Sequence, residues 1–366
     1  MRIVLAGTRG PGFYGGFETC VAELAPRLAG RGHEVTAYAR RWSPASQWRH
    51  EGVRVEVLPS VHTKSLDTVS HSALTTGHIL RHRPDVTVFF GVGNSPFVRF
   101  LRRMGVATVL NVDGLDRTRR KWGRSGRGYL TLAERMSAGG ADVVITDALA
   151  VQRYYRETYA TETTFIPYGA PDGPVGTTAE VESAGLQPGH YILYVSRLEP
   201  ENNCETVLEA YGSANPGLPL VVVGGSRYDP GYEEELKRKA PPGVVFLGFV
   251  YGQGYVELQS HATLYVQSTE VGGTHPALVE AMAYGNAVIA LDTPEHREVL
   301  GGAGLYYRTA RELAALMSQL ATDAGRREEM ATLARQQAAR YSWDSVTTGY
   351  EEACRKALAA ARRRRR

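Results

Sequence analysis

Short apolar runs, each followed by a helical stretch, recur along this chain and are interrupted only once. Before the interruption, Arg2 to Ala6, Glu34 to Ala39, Val86 to Phe90 and Ala107 to Val112 read as strands, with a helix over Phe17 to Arg31 and helical segments between the others. The stretch Pro171-Asp172-Gly173-Pro174-Val175-Gly176-Thr177-Thr178, rich in Pro, Gly and Thr, breaks the pattern and reads as a linker. Strands then restart at Tyr191 to Val195, Leu220 to Val223, Val244 to Leu247, Thr263 to Val266 and Ala287 to Ala290. Alternating strands and helices build a parallel sheet covered on both faces. The chain is therefore expected to form two α/β domains, 1–172 and 173–342, followed by a helix over 343–361. The tail 362–366 is all arginine and is most simply disordered.

A length of 366 residues gives each domain enough chain to bury its own core. Hydrophobic content of 43% with 22% charge belongs to a globular protein in water. No apolar run reaches the roughly 18–20 residues of a spanning helix, and the first apolar run is too soon broken by glycine to be a signal peptide. Cys20, Cys204 and Cys354 are few and odd in number, which points away from a disulfide framework or zinc site and toward a reducing cytosol.

Charge is unevenly shared. Residues 1–172 hold 23 Lys+Arg against 15 Asp+Glu, whereas 173–361 hold 14 against 23. Much of the excess lies in Arg99, Arg102 and Arg103, interleaved with Phe97, Phe100 and Leu101, and in the run from Arg117 through Lys121 and Trp122 to Arg127. Basic residues among apolar ones suit an anionic membrane surface, each charge contributing about 1 kcal/mol. A solvated helix face and surface loop explain the same run.

Two motifs carry chemistry. Gly272-Gly273-Thr274-His275-Pro276 reads as a glycine loop opening into a helix, whose start offers backbone N–H groups and positive dipole potential to an anion. The strand ending at Val195 delivers Arg197, a guanidinium at a strand's carboxyl end, where open α/β sheets bind ligands. Together they suggest a grip on a diphosphate. Gly10-Pro11-Gly12-Phe13-Tyr14-Gly15 also satisfies the dinucleotide fingerprint. Arg40 and Arg41 stand where an acid would hold a ribose, leaving an NADP-dependent reductase or epimerase as an alternative, though no Tyr-x-x-x-Lys pair is present.

The paired motifs resemble the donor half of retaining, family-4-type glycosyltransferases of the GT-B fold, in which two Rossmann-like domains face each other across a cleft and a C-terminal helix crosses back to the first. Four further landmarks are similar to the bacterial β-1,4-rhamnosyltransferase branch of capsule and cell-wall polysaccharide synthesis. They are Gly7-Thr8-Arg9-Gly10 with Tyr14-Gly15-Gly16-Phe17-Glu18-Thr19, Asn111-Val112-Asp113-Gly114-Leu115 with Lys121-Trp122, Ile166-Pro167-Tyr168-Gly169-Ala170, and Pro200-Glu201-Asn202-Asn203.

The resemblance implies transfer of a sugar, L-rhamnose from dTDP-rhamnose in that branch, to a lipid-linked or oligosaccharide acceptor. It places the enzyme in the cytoplasm, peripheral at the inner face of the membrane, with no nucleic-acid partner. Donor contacts then fall to Gly15, Gly16, Arg197, Asn202, Phe249, Val250, Gly272, Gly273, Thr274 and Glu280. Asp113, Arg197 and His275 become the catalytic candidates, and Arg99, Arg102, Arg103, Asp116, Lys121 and Trp122 the acceptor or membrane side. Asp113 as a turn cap and His275 as a solvated helix-start residue are the plainer readings of those two.

Two departures stand out. Asn202 replaces the family's lysine five residues after the arginine, and Gly272 replaces the first acid of the Glu-x7-Glu signature that ends at Glu280. A 6-deoxy sugar has fewer hydroxyls to satisfy, which fits the lost acid. The departures also keep open a donor other than dTDP-rhamnose and a non-catalytic, sugar-binding relative. No metal or other cofactor is expected, because no Asp-x-Asp element is present and arginine with a helix start can replace the cation.

Overall fold

The computed structural model describes residues 1–366 except Tyr14, Lys64, Ser65, Arg120, Lys121, Arg227 and Tyr228. The chain divides into two compact units, one of residues 1–169 with 343–366 and the other of residues 170–342. In unit 1 the elements run β1 (Arg2–Ala6), α1 (Gly16–Gly30), β2 (Glu34–Arg40), β3 (Val53–Leu58), α2 (Asp67–His82), β4 (Val86–Phe90), α3 (Ser95–Arg103), β5 (Ala107–Asn111), α4 (Arg124–Gly140), β6 (Val143–Thr146), α5 (Leu149–Tyr159) and β7 (Thr164–Phe165). Unit 2 holds α6 (Ala179–Ser183), β8 (Ile192–Val195), α7 (Cys204–Ala214), β9 (Leu220–Val223), α8 (Pro230–Lys239), β10 (Val244–Gly248), α9 (Gly252–Ser260) and β11 (Leu264–Gln267). It continues through α10 (Pro276–Ala283), β12 (Ala287–Leu291), α11 (Pro294–Leu300), β13 (Gly304–Tyr307), α12 (Ala310–Thr322) and α13 (Ala324–Ala338). The last helix, α14 (Trp343–Arg365), returns to unit 1.

Both sheets are parallel throughout. Their strand orders are β3-β2-β1-β4-β5-β6-β7 and β10-β9-β8-β11-β12-β13. In each, successive strands build outward from the first to one edge, then the chain returns to the other side of that first strand, which is the doubly wound Rossmann-like arrangement. Alternate residues of β1 feed opposite faces: Ile3 and Leu5 join one core with α1 and α14, while Val4 and Ala6 join another with residues of α3, α4 and α5. Unit 2 is layered in the same way. Such two-sided burial explains why the strands read as apolar runs without alternation.

The structure corrects one expectation outright. The terminal arginines are not a disordered tail, since α14 continues through Arg365. Arg364 pairs with Asp142 and donates to the Val106 carbonyl, and Arg365 donates to the Gly105 carbonyl. All three cysteines are buried and unbridged.

Candidate functional site

In unit 2 the winding reverses between β8 and β11, and in open α/β sheets ligands bind outside the carboxyl ends of the strands at such a reversal. Both sequence motifs leave the sheet at that point, Arg197 after β8 and Gly272-Gly273-Thr274 between β11 and α10. The Ser196 N–H donates to the Val223 carbonyl at 3.0 Å and the Leu198 N–H to the Gly225 carbonyl at 3.1 Å, so the Arg197 segment is stitched to the loop after β9. Gly224 is what allows so close an approach. Its φ is +124°, and a Cβ there would lie 1.8 Å from the Ser196 carbonyl oxygen. The Gly224 N–H donates to the Gly248 carbonyl at 2.7 Å, which brings in the end of β10 and, after it, Phe249 and Val250. Arg197, Phe249 and Val250 thus share one rim of the sheet.

Arg197 itself is partly exposed and ion-paired with Glu199 at 3.5 Å. The structure places Asn202 behind this arginine rather than beside it. Its side chain is buried and its amide donates to the Arg197 carbonyl at 2.6 Å, which supports the arginine's backbone but offers no cation in place of the family's lysine. The neighbouring Glu201 is fully buried, with neither carboxyl oxygen hydrogen-bonded. Its carbonyl accepts the Glu270 N–H at 2.9 Å, and Asn203 donates to the Ser268 carbonyl at 3.0 Å. These bonds tie the Pro200–Asn202 turn to the segment that leads into Gly272.

Helix α10 starts at Pro276 with His275 as its N-cap residue, and the Leu278 and Val279 N–H groups bond to the His275 carbonyl. A Cβ at Gly272 would lie 2.3 Å from His275 Cε1, so the glycine that replaces an acid makes room for this ring. The ring also lies 4.8 Å from that of His296. His296 is buried, its Nδ1 is 2.7 Å from the Leu291 carbonyl, and burial pushes its pKa down to about 4. It is therefore a neutral neighbour at physiological pH, with its proton held on Nδ1 by that carbonyl. Gly273 and Thr274 are buried in the same turn.

Farther along α10, Glu280 accepts a 2.5 Å hydrogen bond from the Tyr255 hydroxyl, which in turn accepts one from Gln259 at 3.0 Å. Burial, and next the charge of Glu280, hold the Tyr255 phenol well above its ordinary value, so it remains a donor. No sequence signal pointed to Tyr255, because its partner lies 25 residues away.

Unit 1 carries the other candidates. Gly15 precedes α1 with φ +127°, and a Cβ there would lie 2.4 Å from Glu18 Oε2. Glu18 is buried and accepts the Arg9 N–H at 3.0 Å and the Arg9 guanidinium at 3.3 Å. Gly15 and Gly16 therefore open a helix whose first turn already holds a carboxylate of this chain.

Asp113 lies just beyond β5, half-buried, with a left-handed φ of 58°. Its N–H donates to Asn111 Oδ1 at 3.0 Å, and the Asn111 amide donates to the Tyr350 hydroxyl of α14 at 2.6 Å. The side chain hydrogen-bonds to Asp147, the residue after β6, which sequence reasoning missed. Burial raises the Asp113 pKa; nearby Arg119 opposes the rise and Asp116 adds to it.

The basic candidates separate on inspection. Arg102 is engaged within the fold, donating to buried Asp142 at 3.1 Å and to the Gly139 carbonyl at 3.0 Å, while its side chain stays partly exposed. Asp116 accepts from Arg119 at 2.7 Å, and Trp122 packs against the core beneath α3 and α4. Arg103 is exposed and Arg99 half-buried, near the exposed apolar Phe100 and Met104. Lys121 lies outside the described residues. Among the described residues no group of three or more His, Cys, Asp or Glu side chains is placed to hold a metal ion, and no helix is long and apolar enough to cross a membrane.

Comparison with known proteins adds family and fold. The family described as Glycosyl transferase 4-like domain matches residues 15–169, and that described as Glycosyl transferases group 1 matches residues 180–337. A sucrose-phosphate synthase from Thermosynechococcus elongatus is similar in structure, with a TM-score of 0.81 and 18% identity over 98% of this chain and 99% of that one. HepE of Anabaena, solved in complex with UDP, gives 0.74 and 17% over 96% and 99%. WaaG, a glycosyltransferase of lipopolysaccharide biosynthesis, gives 0.74 and 17% over 97% and 98%. A search of curated protein sequences finds no match.

Proposed function

Because this chain belongs to the group 1 glycosyltransferases and has two Rossmann-like units of the GT-B kind, we propose that it moves L-rhamnose from dTDP-rhamnose to a lipid-linked sugar acceptor, with retention, at the cytoplasmic face of the membrane. The observation that carries the transferase reading is the convergence of Arg197, Phe249 and the Gly272–Thr274 turn at the switch point of unit 2's sheet, with Glu280 on the helix that follows. A diphosphate placed there meets a guanidinium and a helix start, and Glu280, oriented by Tyr255, suits ribose hydroxyls.

In the proposed reaction the acceptor oxygen bonds to the anomeric carbon as the bond to the diphosphate oxygen breaks on the same face, and the acceptor's proton passes to that leaving oxygen. Negative charge grows on the diphosphate, so fixed positive groups around it lower the barrier. Arg197 is the cation for that task once it turns from Glu199 to the donor, and His275 lies at the same helix start. Asp113 orients the acceptor hydroxyl. The reaction needs no metal ion, and chelator is expected to leave turnover intact.

Rhamnose is supported by the four landmarks and by Gly272, where the room left by the missing acid is taken by His275. HepE was solved with UDP and with UDP-glucose, which makes a UDP-sugar the donor to set against it. The test is nucleotide release across dTDP-rhamnose, UDP-glucose, UDP-N-acetylglucosamine and GDP-mannose with a pool of lipid-diphospho-sugar acceptors. Acceptor-dependent release from dTDP-rhamnose alone is expected. Preference for another donor discards rhamnose and keeps the chemistry, and tight binding without release makes the chain a binding protein.

A further inference from the structure

The residue that sequence reasoning missed beside Asp113 changes what that site does. Strands β5 and β6 run in register with Val109 opposite Val143, Leu110 opposite Val144 and Asn111 opposite Ile145. The Val112 N–H extends the ladder to the Ile145 carbonyl at 3.0 Å. Two residues further along, that register sets Asp113 opposite Asp147, and their carboxyl groups are hydrogen-bonded. Asp147 is 1% exposed and Asp113 half-buried, so water reaches the pair only from the Asp113 side.

An ionised carboxylate only accepts hydrogen bonds. A hydrogen bond between two carboxyl groups therefore requires that one of them keep a proton, and like charges this close cannot both ionise without a large cost. The groups around the pair favour one negative charge. Arg119 is the nearby cation, while Asp116, Tyr168, Tyr350 of α14 and Cys20 of α1 complete the titratable surroundings. Burial keeps Tyr168, Tyr350 and Cys20 neutral, and Arg119 is already shared with Asp116, so it cannot balance two further carboxylates. The strained backbone of Asp113 and its tie through Asn111 to Tyr350 fix the carboxyl in place.

We propose that Asp113 and Asp147 form one carboxyl–carboxylate unit holding a single shared proton at neutral pH, with Asp147 as the positioning residue that aims the ionised oxygen of Asp113 at the acceptor hydroxyl. The second half of this inference rests on the acceptor-side reading of Asp113; the first half does not. Asp147 touches neither reacting atom. It donates the shared proton to Asp113 and so leaves one defined lone-pair direction for the hydroxyl.

The test separates the two halves. In protein labelled with 13C at the aspartate side chains, the pair is expected to titrate in two steps, one well above the ordinary carboxylate range. Asp147→Asn is expected to abolish the upper step and leave Asp113 titrating once. Asp113→Asn, at a position less buried than Asp147, is expected to abolish the same upper step, which covers the case in which Asp147→Asn fails to fold. Two independent titrations in the ordinary range, or an upper step that survives either substitution, overturns the proton sharing. With sharing established, Asp147→Asn is expected to lower kcat/KM for the acceptor by about tenfold, the scale of one positioning hydrogen bond, with donor KM unchanged. Unchanged acceptor kinetics in both variants overturns the aiming role while the shared proton stands.

Discussion

Replacing Tyr255 with phenylalanine removes one oxygen and tests how the donor half is organised. That hydroxyl donates to Glu280 Oε2 at 2.5 Å and accepts from Gln259 Nε2 at 3.0 Å. Gln259 also reaches the Ala277 carbonyl at 3.4 Å, so the substitution strands no donor. A hydrogen bond to a charged group contributes about 1.5–3 kcal/mol. Both partners are half-buried, which lowers the expectation to about 1–2 kcal/mol, a factor of about 5–30 in affinity. Calorimetric titration of nucleoside diphosphate into wild type, Tyr255→Phe, Glu280→Gln and the double variant measures it. The tyrosine acts through Glu280, so Tyr255→Phe should weaken binding five- to thirtyfold in the wild-type background and by less than about twofold in Glu280→Gln. Equal losses in both backgrounds would refute the coupling, and no loss in either would remove Glu280 from the ribose.

Gly224→Ala forces a side chain into φ +124° and against the Ser196 carbonyl; strain of about 1–3 kcal/mol plus overpacking of about 1–3 kcal/mol should appear as a lower urea midpoint for unit 2 and a raised donor KM. His296 is held neutral, its pKa about 4 against 6.5 when unfolded, so unfolding takes up a proton below 6.5 and stability falls as pH drops from about 6.5 toward 4, by at most about 3 kcal/mol. A plot of melting temperature against pH should flatten over that window in His296→Asn. Arg102→Ala should lower stability by about 1 kcal/mol through Asp142 and leave liposome binding as it was, whereas Arg99→Ala with Arg103→Ala should weaken binding to anionic vesicles and spare the fold. Equal vesicle binding by all of these variants would remove α3 from a membrane contact.

The doubly wound fold was legible because strands buried on both faces read as apolar runs, and the restart after Pro171 announced a second sheet. Strands β3, β6, β7 and β13 went unnoticed for different reasons. Val53–Leu58 alternates polar and apolar residues at a sheet edge, Val143–Thr146 and Gly304–Tyr307 have four residues each, and Thr164–Phe165 has two. Motif spacing found Arg197 and the Gly272 turn because each is local. Asp147 and Tyr255 were invisible because their contacts are with residues 34 and 25 positions away, brought close by sheet register and helix packing. The arginine run misled by composition alone: an alanine-rich helix leads into it, and the fold supplies the Asp142 carboxylate and two carbonyls to receive it.

The return of α14 to unit 1 has a consequence for synthesis on the ribosome. Unit 2 is continuous in sequence, so all of its strands and helices are present once residue 342 has emerged. Unit 1 is not: Trp343, Val346, Tyr350, Cys354 and Ala357 fill one face of its sheet, and Tyr350 is the partner of Asn111, 239 residues earlier. The nascent first unit therefore waits with that face uncovered while the whole of unit 2 is made, a period in which a chaperone has an apolar surface to hold. The support beneath Asp113, from Asn111 to Tyr350, is completed last, with α14.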